Sequence, residues 1–365
     1  MGLGAVAVRR NDFPAAERRY AEALAALGTN ADAELSGNGY TGRGVARAAL
    51  GRYDEALADF GRARVALERA GDQPGAASVD TNRALLESNR RRWRDAVQAF
   101  DRAIAVFERY DVRDNLAASL HGKTLAQLAL LELDAALADS ARAWQLASEL
   151  ENPVLVDAIR HSRIRALLAT GQLAAAAALL DGDAAANHAD ASDPSELRVR
   201  LALARGDTAA ALTGARRHAQ EHPGADAELL LAIAAVAAGD TQLREPAKPD
   251  EAPPLARALR AQLRGDGDAA LAAYIDALAA ADRDGTPDLR VEVSRFYLPQ
   301  LIARRELDRA SAVAGDIAPY ADRDFRAART LAQLYRALDD QALLAQANAR
   351  VKALAGERDV ERSVY

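Results

Sequence analysis

The chain has no cysteine, which excludes disulfides, thiolate metal sites and cysteine nucleophiles together. Aromatic residues make up only 5% of it, and Val, Ile and Thr are so thinly spread that no strand stands out. Lysine is confined to Lys123, Lys248 and Lys352, so the positive charge is almost entirely arginine, the better partner for bidentate carboxylate contacts. No apolar run approaches the roughly 20 residues that cross a bilayer, and the N-terminus lacks the basic and apolar regions of a secretion signal. A net charge of −6 over 365 residues provides neither the basic footprint of a nucleic-acid binder nor a polybasic membrane anchor. The expectation is a cytoplasmic chain with no nucleic-acid and no membrane partner.

What the chain does have is alanine, within an apolar half of the composition, and this favours helices that approach closely. The length exceeds what one hydrophobic core usually supports, so the apolar surface is expected to be buried locally along an array. Self-similarity bears this out. The segments Asn11–Ala16, Gly51–Ala56, Arg91–Ala96, Leu131–Ala136 and Gly171–Ala176 align with a constant step of 40. Three residues before each terminal alanine stands Phe13, Tyr53, Trp93, Leu133 or Leu173, and four after it Tyr20, Phe60, Phe100, Ser140 or Leu180. Seven after it comes Ala23, Ala63, Ala103 or Ala143. Offsets of three, four and seven stay on one helical face, so each unit carries a second helix with a small residue at a helix crossing and a ring beside it. The upstream segments, such as 79–89 and 120–131, are amphipathic as well, and a short turn joins the two helices.

With Gly44, Gly51, Tyr53, Ala56, Phe60 and Ala63 in one unit, the chain resembles the tetratricopeptide repeat in its 40-residue form. That form is seen in bacterial regulators of the maltose-activator type and in kinesin light chains. The resemblance covers residues 1–180, with Ala84 and Thr124 replacing the first glycine and Ser140 the second-helix aromatic. It implies an all-α fold, an α-α superhelix or solenoid of antiparallel helix hairpins, in two lobes. The first lobe is expected over 1–180 as five repeats, a linker over 181–195, and a less regular lobe over 196–365 with a proline-rich loop at 240–254. About nine or ten hairpins are expected in all. Leu3-Gly4 falls where the family has the middle of its opening helix, which suggests a piece of a longer protein. The C-terminal part resembles the tails of bacterial signalling proteins that fuse such repeats to a kinase or winged-helix domain.

Two motifs imitate chemistry. Ala117–Thr124 (AASLHGKT) fits a relaxed phosphate-loop pattern, but Leu120, Leu125 and Leu128 mark a helix interior whose amides are already bonded. Gly37–Gly42 fits a dinucleotide fingerprint with nothing strand-like ahead of it, so a frayed helix start or a close backbone approach is expected instead. The histidines His121, His161, His188, His218 and His222 show no His-Glu-x-x-His spacing and are read as solvated. No catalytic site can be assembled in named roles, and no cofactor or metal is expected.

His121 and His161 are 40 apart, early in successive opening helices, at a position that in the resembled family lines the concave groove. With Asn82, Leu85, Asn89, Leu125, Arg165 and Leu168 they form a candidate peptide-binding set, apolar with amide, imidazole and guanidinium donors, suited to a carboxylate-bearing peptide. A second column, Arg43, Arg83, Lys123 and Arg163, forms a basic ladder if equal spacing becomes stacking. The plainer reading of the ladder is that the stems snorkel over the core and pair locally, Arg83 with Glu87 for example. Arg90, Arg91, Arg92 and Arg94 are read as a solvated edge. The function expected is a protein- or peptide-binding scaffold or sensor module, non-enzymatic, within a bacterial signalling or regulatory protein. The alternative is a structural or dimerising module without a dedicated ligand.

Overall fold

The computed structural model describes residues 2–28, 32–147, 149–183, 193–243, 246 and 251–363. Among the described residues there are nineteen α-helices and no strand. The opening helices α3 (Ala33–Ala49), α5 (Gln73–Asn89), α7 (Arg113–Ala129) and α9 (Pro153–Ala169) are followed by second helices α4 (Tyr53–Ala70), α6 (Trp93–Tyr110), α8 (Leu133–Ala147) and α10 (Leu173–Asp183). A short α1 (Gly2–Arg9) precedes α2 (Phe13–Leu27) in the same relation. The period read from the sequence is therefore the period of the helix starts.

Each hairpin turns on one left-handed residue. Asn11, Gly51, Arg91, Leu131 and Gly171 have φ between 56° and 76°, two residues ahead of a second helix. The amide after it reaches back to a carbonyl in the last turn of the opening helix, as from Arg52 to Arg47 at 2.9 Å, Arg92 to Glu87 at 2.8 Å and Glu132 to Gln127 at 2.9 Å, which satisfies a helix-end carbonyl. Helix starts are fixed by short acidic or amide side chains. Asp12, Asp32, Asp72 and Asn152 accept from the backbone N–H three residues on, at 2.8–3.1 Å. Behind each turn Ala16, Ala56, Ala96, Ala136 and Ala176 are completely buried, on equivalent positions of the second helices. Phe60 and Phe100 are buried beside them, at 2% and 0% exposure. Trp93 is only half-buried, so Phe100 and not the tryptophan is the ring that fills the hairpin.

Two compact units divide the chain, residues 1–126 with 145–150, and residues 127–144 with 151–365. The second contains α9, α10 and the hairpins α11 (Ser195–Arg205) with α12 (Thr208–Glu221), α14 (Pro254–Leu263) with α15 (Gly267–Asp284), α16 (Pro287–Ala303) with α17 (Leu307–Ile317), and α18 (Phe325–Ala337) with α19 (Gln341–Leu354). The same left-handed turn recurs at Gly206, Gly265, Arg305 and Asp339. The same small residue recurs at Ala211, Ala270 and Ala310, exposed by 2% or less. One opening helix, α13 (Ala225–Ala238), has no second helix among the described residues. The proline-rich stretch comes next in the chain, and within it 244–245 and 247–250 lie outside the described residues; Pro253 precedes α14 and Pro254 begins it. Of the stretch read as a linker, 184–192 lie outside the described residues, and α10 continues to Asp183.

The second unit is bridged by its own C-terminal segment. Arg358, 7% exposed, donates from Nη2 to the carbonyls of Leu168 at 2.6 Å and Ala169 at 2.9 Å, the end of α9. Its neighbour Glu357 accepts from the N–H of Ala174 at 2.6 Å, at the start of α10. A cation thus meets the carbonyl end of one helix and a carboxylate the amide end of the next, each with the favourable sign. The Glu357 N–H donates to Gly171 O at 2.9 Å, so the two backbones touch. A Cβ on Gly356 would lie 2.7 Å from that same oxygen, which is why a glycine stands there. Elsewhere in the unit Glu292 and Arg295, each with 8% of its side chain exposed, pair with each other, and Arg326 adds a bond to Glu292 at 3.1 Å and to Asp324 at 2.9 Å. Burial alone would raise the Glu292 pKa, but the two guanidinium groups hold it below the usual carboxylate range.

Candidate functional site

In the first unit the opening helices α5 and α7 are stitched side by side. The Thr81 and Ser119 hydroxyls are 2.9 Å apart, and the Asn115 amide donates to Ser78 Oγ at 2.9 Å. Leu85 on α5 is 46% exposed and Asn89, one turn on, is exposed as well. His121 and Leu125 on α7, at the registers of Thr81 and Leu85, are half-buried. Asn82 is also half-buried. Its counterparts one repeat away on either side, Gly42 and Gly122, lie against the rings of Tyr20 and Phe100, which puts Asn82 at the margin of a helix-packing seam.

The rest of the candidate set falls in the second unit, where its members are engaged with their own chain. Leu168 is 8% exposed inside a cluster with Ile164, Leu173, Leu180, Leu197 and Leu201, and this corrects its reading as a groove residue. A leucine there closes the gap between α9 and α11, so hydrophobic burial takes it. The Arg165 guanidinium lies 3.2 and 3.0 Å from the two carboxylate oxygens of Glu196. His161 Nδ1 is 2.9 Å from the backbone oxygen of Asp157, one turn back on its own helix.

The basic ladder resolves into separate local contacts. Arg43 makes a two-point contact with the buried carboxylate of Asp59 at 2.8 and 2.7 Å, joined there by Arg47 at 2.8 Å. Lys123 pairs with Asp101 at 2.8 Å. Arg163 donates to Leu137 O at 2.8 Å and Ser140 Oγ at 3.1 Å, and burial lowers its pKa. Arg83 is exposed, close enough to Asp80 to help offset the burial that raises that carboxyl's pKa. Glu87 pairs with Arg92 at 4.0 Å, which corrects the expected Arg83 pairing. In the arginine cluster, Arg90 faces Asp54 at 3.5 Å and the Tyr53 ring at 5.9 Å.

The two imitation motifs are helix interior. Gly122 of the phosphate-loop pattern lies within α7, where a Cβ would run into Phe100. Gly37, Gly42 and Gly44 lie within α3, and a Cβ on Gly44 would stand 2.6 Å from Phe60. Gly42, Gly44 and Gly122 serve close approach of a ring to a helix backbone and Gly37 that of Leu67, with no fraying of the helix.

Reading by sequence missed the column that holds the hairpins together from inside. Arg47 meets Asp59 at 2.8 Å and, in the second unit, Gln127 meets Asp139 at 2.8 Å, the same pair of registers 80 residues on. The 40-residue phase held that signal, since each pair is twelve apart.

No family model and no curated protein matches the chain. Solved structures with a similar helical arrangement include BtubC (BKLC) from P. vanneervenii, at 19% identity and TM-score 0.45 over 52% of this chain and 82% of that one. Pseudomonas aeruginosa PilF is 15% identical, TM-score 0.47, over 62% and 91% of the respective chains. A Rap protein complexed with competence and sporulation factor is 14% identical, TM-score 0.39, over 91% and 78%. Through its own helix starts, left-handed turns and buried alanines, the chain is an all-α array of tetratricopeptide-like helix hairpins.

Proposed function

We propose that the first unit is a docking module for an extended segment of another protein, bound along α5 and α7. The observation that carries this is Leu85, an apolar side chain 46% exposed on an opening helix, next to the exposed amide of Asn89. Positions 82, 85 and 89 lie on one helical face, and an amide can both donate to and accept from the backbone of an extended peptide while an apolar side chain fills a gap between its residues. His121 and Leu125 extend the set on α7, and the imidazole supplies a donor suited to a carboxylate. The resemblance of the 40-residue period to the repeat regions of bacterial regulators supports a place within a signalling or regulatory protein, as a non-enzymatic part of it.

For the second unit a purely structural role is the better reading, because His161, Arg165 and Leu168 are committed internally and the segment 355–363 packs on the unit's own hairpin turns. Among the described residues no helix is long and apolar enough to cross a membrane.

A photo-crosslinking residue placed at Leu85 in the intact protein, within the source cell, is expected to capture a discrete partner. The same residue at Val65, 47% exposed on α4, serves as the comparison. Equal labelling at both positions, or none at Leu85, defeats the docking reading.

A further inference from the structure

His218 lies in the last turn of α12 and His222, four residues on, is its C-cap, and the segment leading into α11 brings Asp193 against them. His222 Nε2 is 2.7 Å from Asp193 Oδ2, and His218 Nδ1 is 3.9 Å from the same oxygen. One ligand atom from each of the three residues lies within 4.8 Å of the others. His218 is the most enclosed, with 13% of its side chain exposed, while Asp193 and His222 have 35% and 50%, so the group opens to solvent on one side. His222 is exposed, as the sequence reading has it, while His218 is half-buried against Ser195.

We propose that Asp193, His218 and His222 form a binding site for a first-row divalent metal ion of the zinc class. Two neutral imidazoles and one carboxylate are the donor set such borderline ions take, with a fourth position left for water or an outside ligand. The geometry is close to ready. With bonds of about 2.0–2.2 Å, ligand atoms around a tetrahedral ion stand about 3.3 Å apart, and the 2.7 and 3.9 Å separations fall on either side of that value. Small side-chain rotations reach it.

The surroundings favour a cation and hold the carboxylate in place. The Ser195 backbone N–H donates to Asp193 Oδ1 at 3.0 Å, and the Ser195 hydroxyl donates to Oδ2. Both histidines sit at the carbonyl end of α12, where the helix dipole attracts positive charge.

A hydrolytic reading fits less well. Ser195 Oγ is 2.6 Å from His218 Nδ1, but the Asp193 carboxylate is bonded to the hydroxyl itself and to His222. The order nucleophile, base, carboxylate is not made. The metal would instead clip the entry of α11 to the end of α12, making the hairpin's open end a ligand-dependent element.

The test uses the full chain, stripped of metal with a chelator and titrated with Zn²⁺ by calorimetry. One ion per chain is expected, with affinity lower by more than about 100-fold in H218A, H222A and D193N, beyond the about 10–100-fold that outer-shell changes cause. E221Q, which alters an exposed neighbouring carboxylate, is expected to bind as the parent does. Co²⁺ in the unaltered protein should give the intense visible absorption of a four-coordinate ion, a readout independent of how the variants fold. Absence of stoichiometric Zn²⁺ uptake, uptake that survives both histidine substitutions, or a pale six-coordinate Co²⁺ spectrum overturns the proposal.

Discussion

The two units reach stability by different routes from one building block. In the first, hairpins repeat at a fixed step, and each ring and alanine finds its partner in its own or the adjacent hairpin, as Phe100 does with the backbone at Gly122. In the second, the step varies, α13 has no second helix among the described residues, and the unit adds a segment around Arg358 fastened across the α9–α10 turn. Regularity makes contacts local. Where it lapses, one fastening reaches far along the chain, from Arg358 to Leu168 across 190 residues.

Three measurements put that contrast at risk. Phe100→Ala removes a fully buried ring and is expected to cost about 3–5 kcal/mol. Hydrogen exchange should show protection lost in the hairpins around α6 while the helices from α11 onward keep theirs. Uniform loss across both units would contradict local fastening.

The next effect belongs to the second unit alone. Burial alone would raise the Glu196 pKa, but Arg200 and Arg165 lower it to about 2. A depressed carboxyl pKa contributes stability that is complete above the unfolded value near 4.5 and is lost as pH falls toward about 2. That loss is on the order of 3 kcal/mol. Glu196→Gln should flatten this part of the acid-unfolding curve followed by probes in α11, and an unchanged curve would remove Glu196 from the account.

The smallest effect concerns the terminal fastening. Arg358→Ala should cost about 1.5–3 kcal/mol through the loss of its charged bonds to the Leu168 and Ala169 carbonyls. Glu357→Ala should cost about 1 kcal/mol, the loss of one helix-start acceptor. Denaturant titration of both variants tests the order, and equal, negligible costs would mean the segment only rests on the turn.

The fold was legible because its determinants are short-range and repeated. An alanine at 16, 56, 96, 136 and 176 is visible as a column, and the structure buries all five completely. The second unit's turns were visible too, at Gly206 and Gly265, since a left-handed residue followed by a small one five positions later does not depend on the period. The candidate site was legible only in part. The family position predicted Leu85 and Asn89 on an accessible face, but the same rule put Leu168 there, where the neighbouring α11 covers it. Which face stays open depends on what packs next, and that is not written in one repeat. Contacts without a period were invisible: Arg358 meets Leu168 from 190 residues away, and Asp193 meets His222 across the whole of a hairpin.

The Glu357–Arg358 contact has a bearing on how the protein comes into being. A linear array can settle turn by turn as it leaves the ribosome, each hairpin needing only the one before it. The first unit is of that kind. The second cannot secure the α9–α10 turn until residue 358, 190 positions beyond Leu168, has been made. A product that stops short of residue 357 would carry the α9–α10 turn without the Arg358 bonds to Leu168 and Ala169 and without the Glu357 acceptor at Ala174.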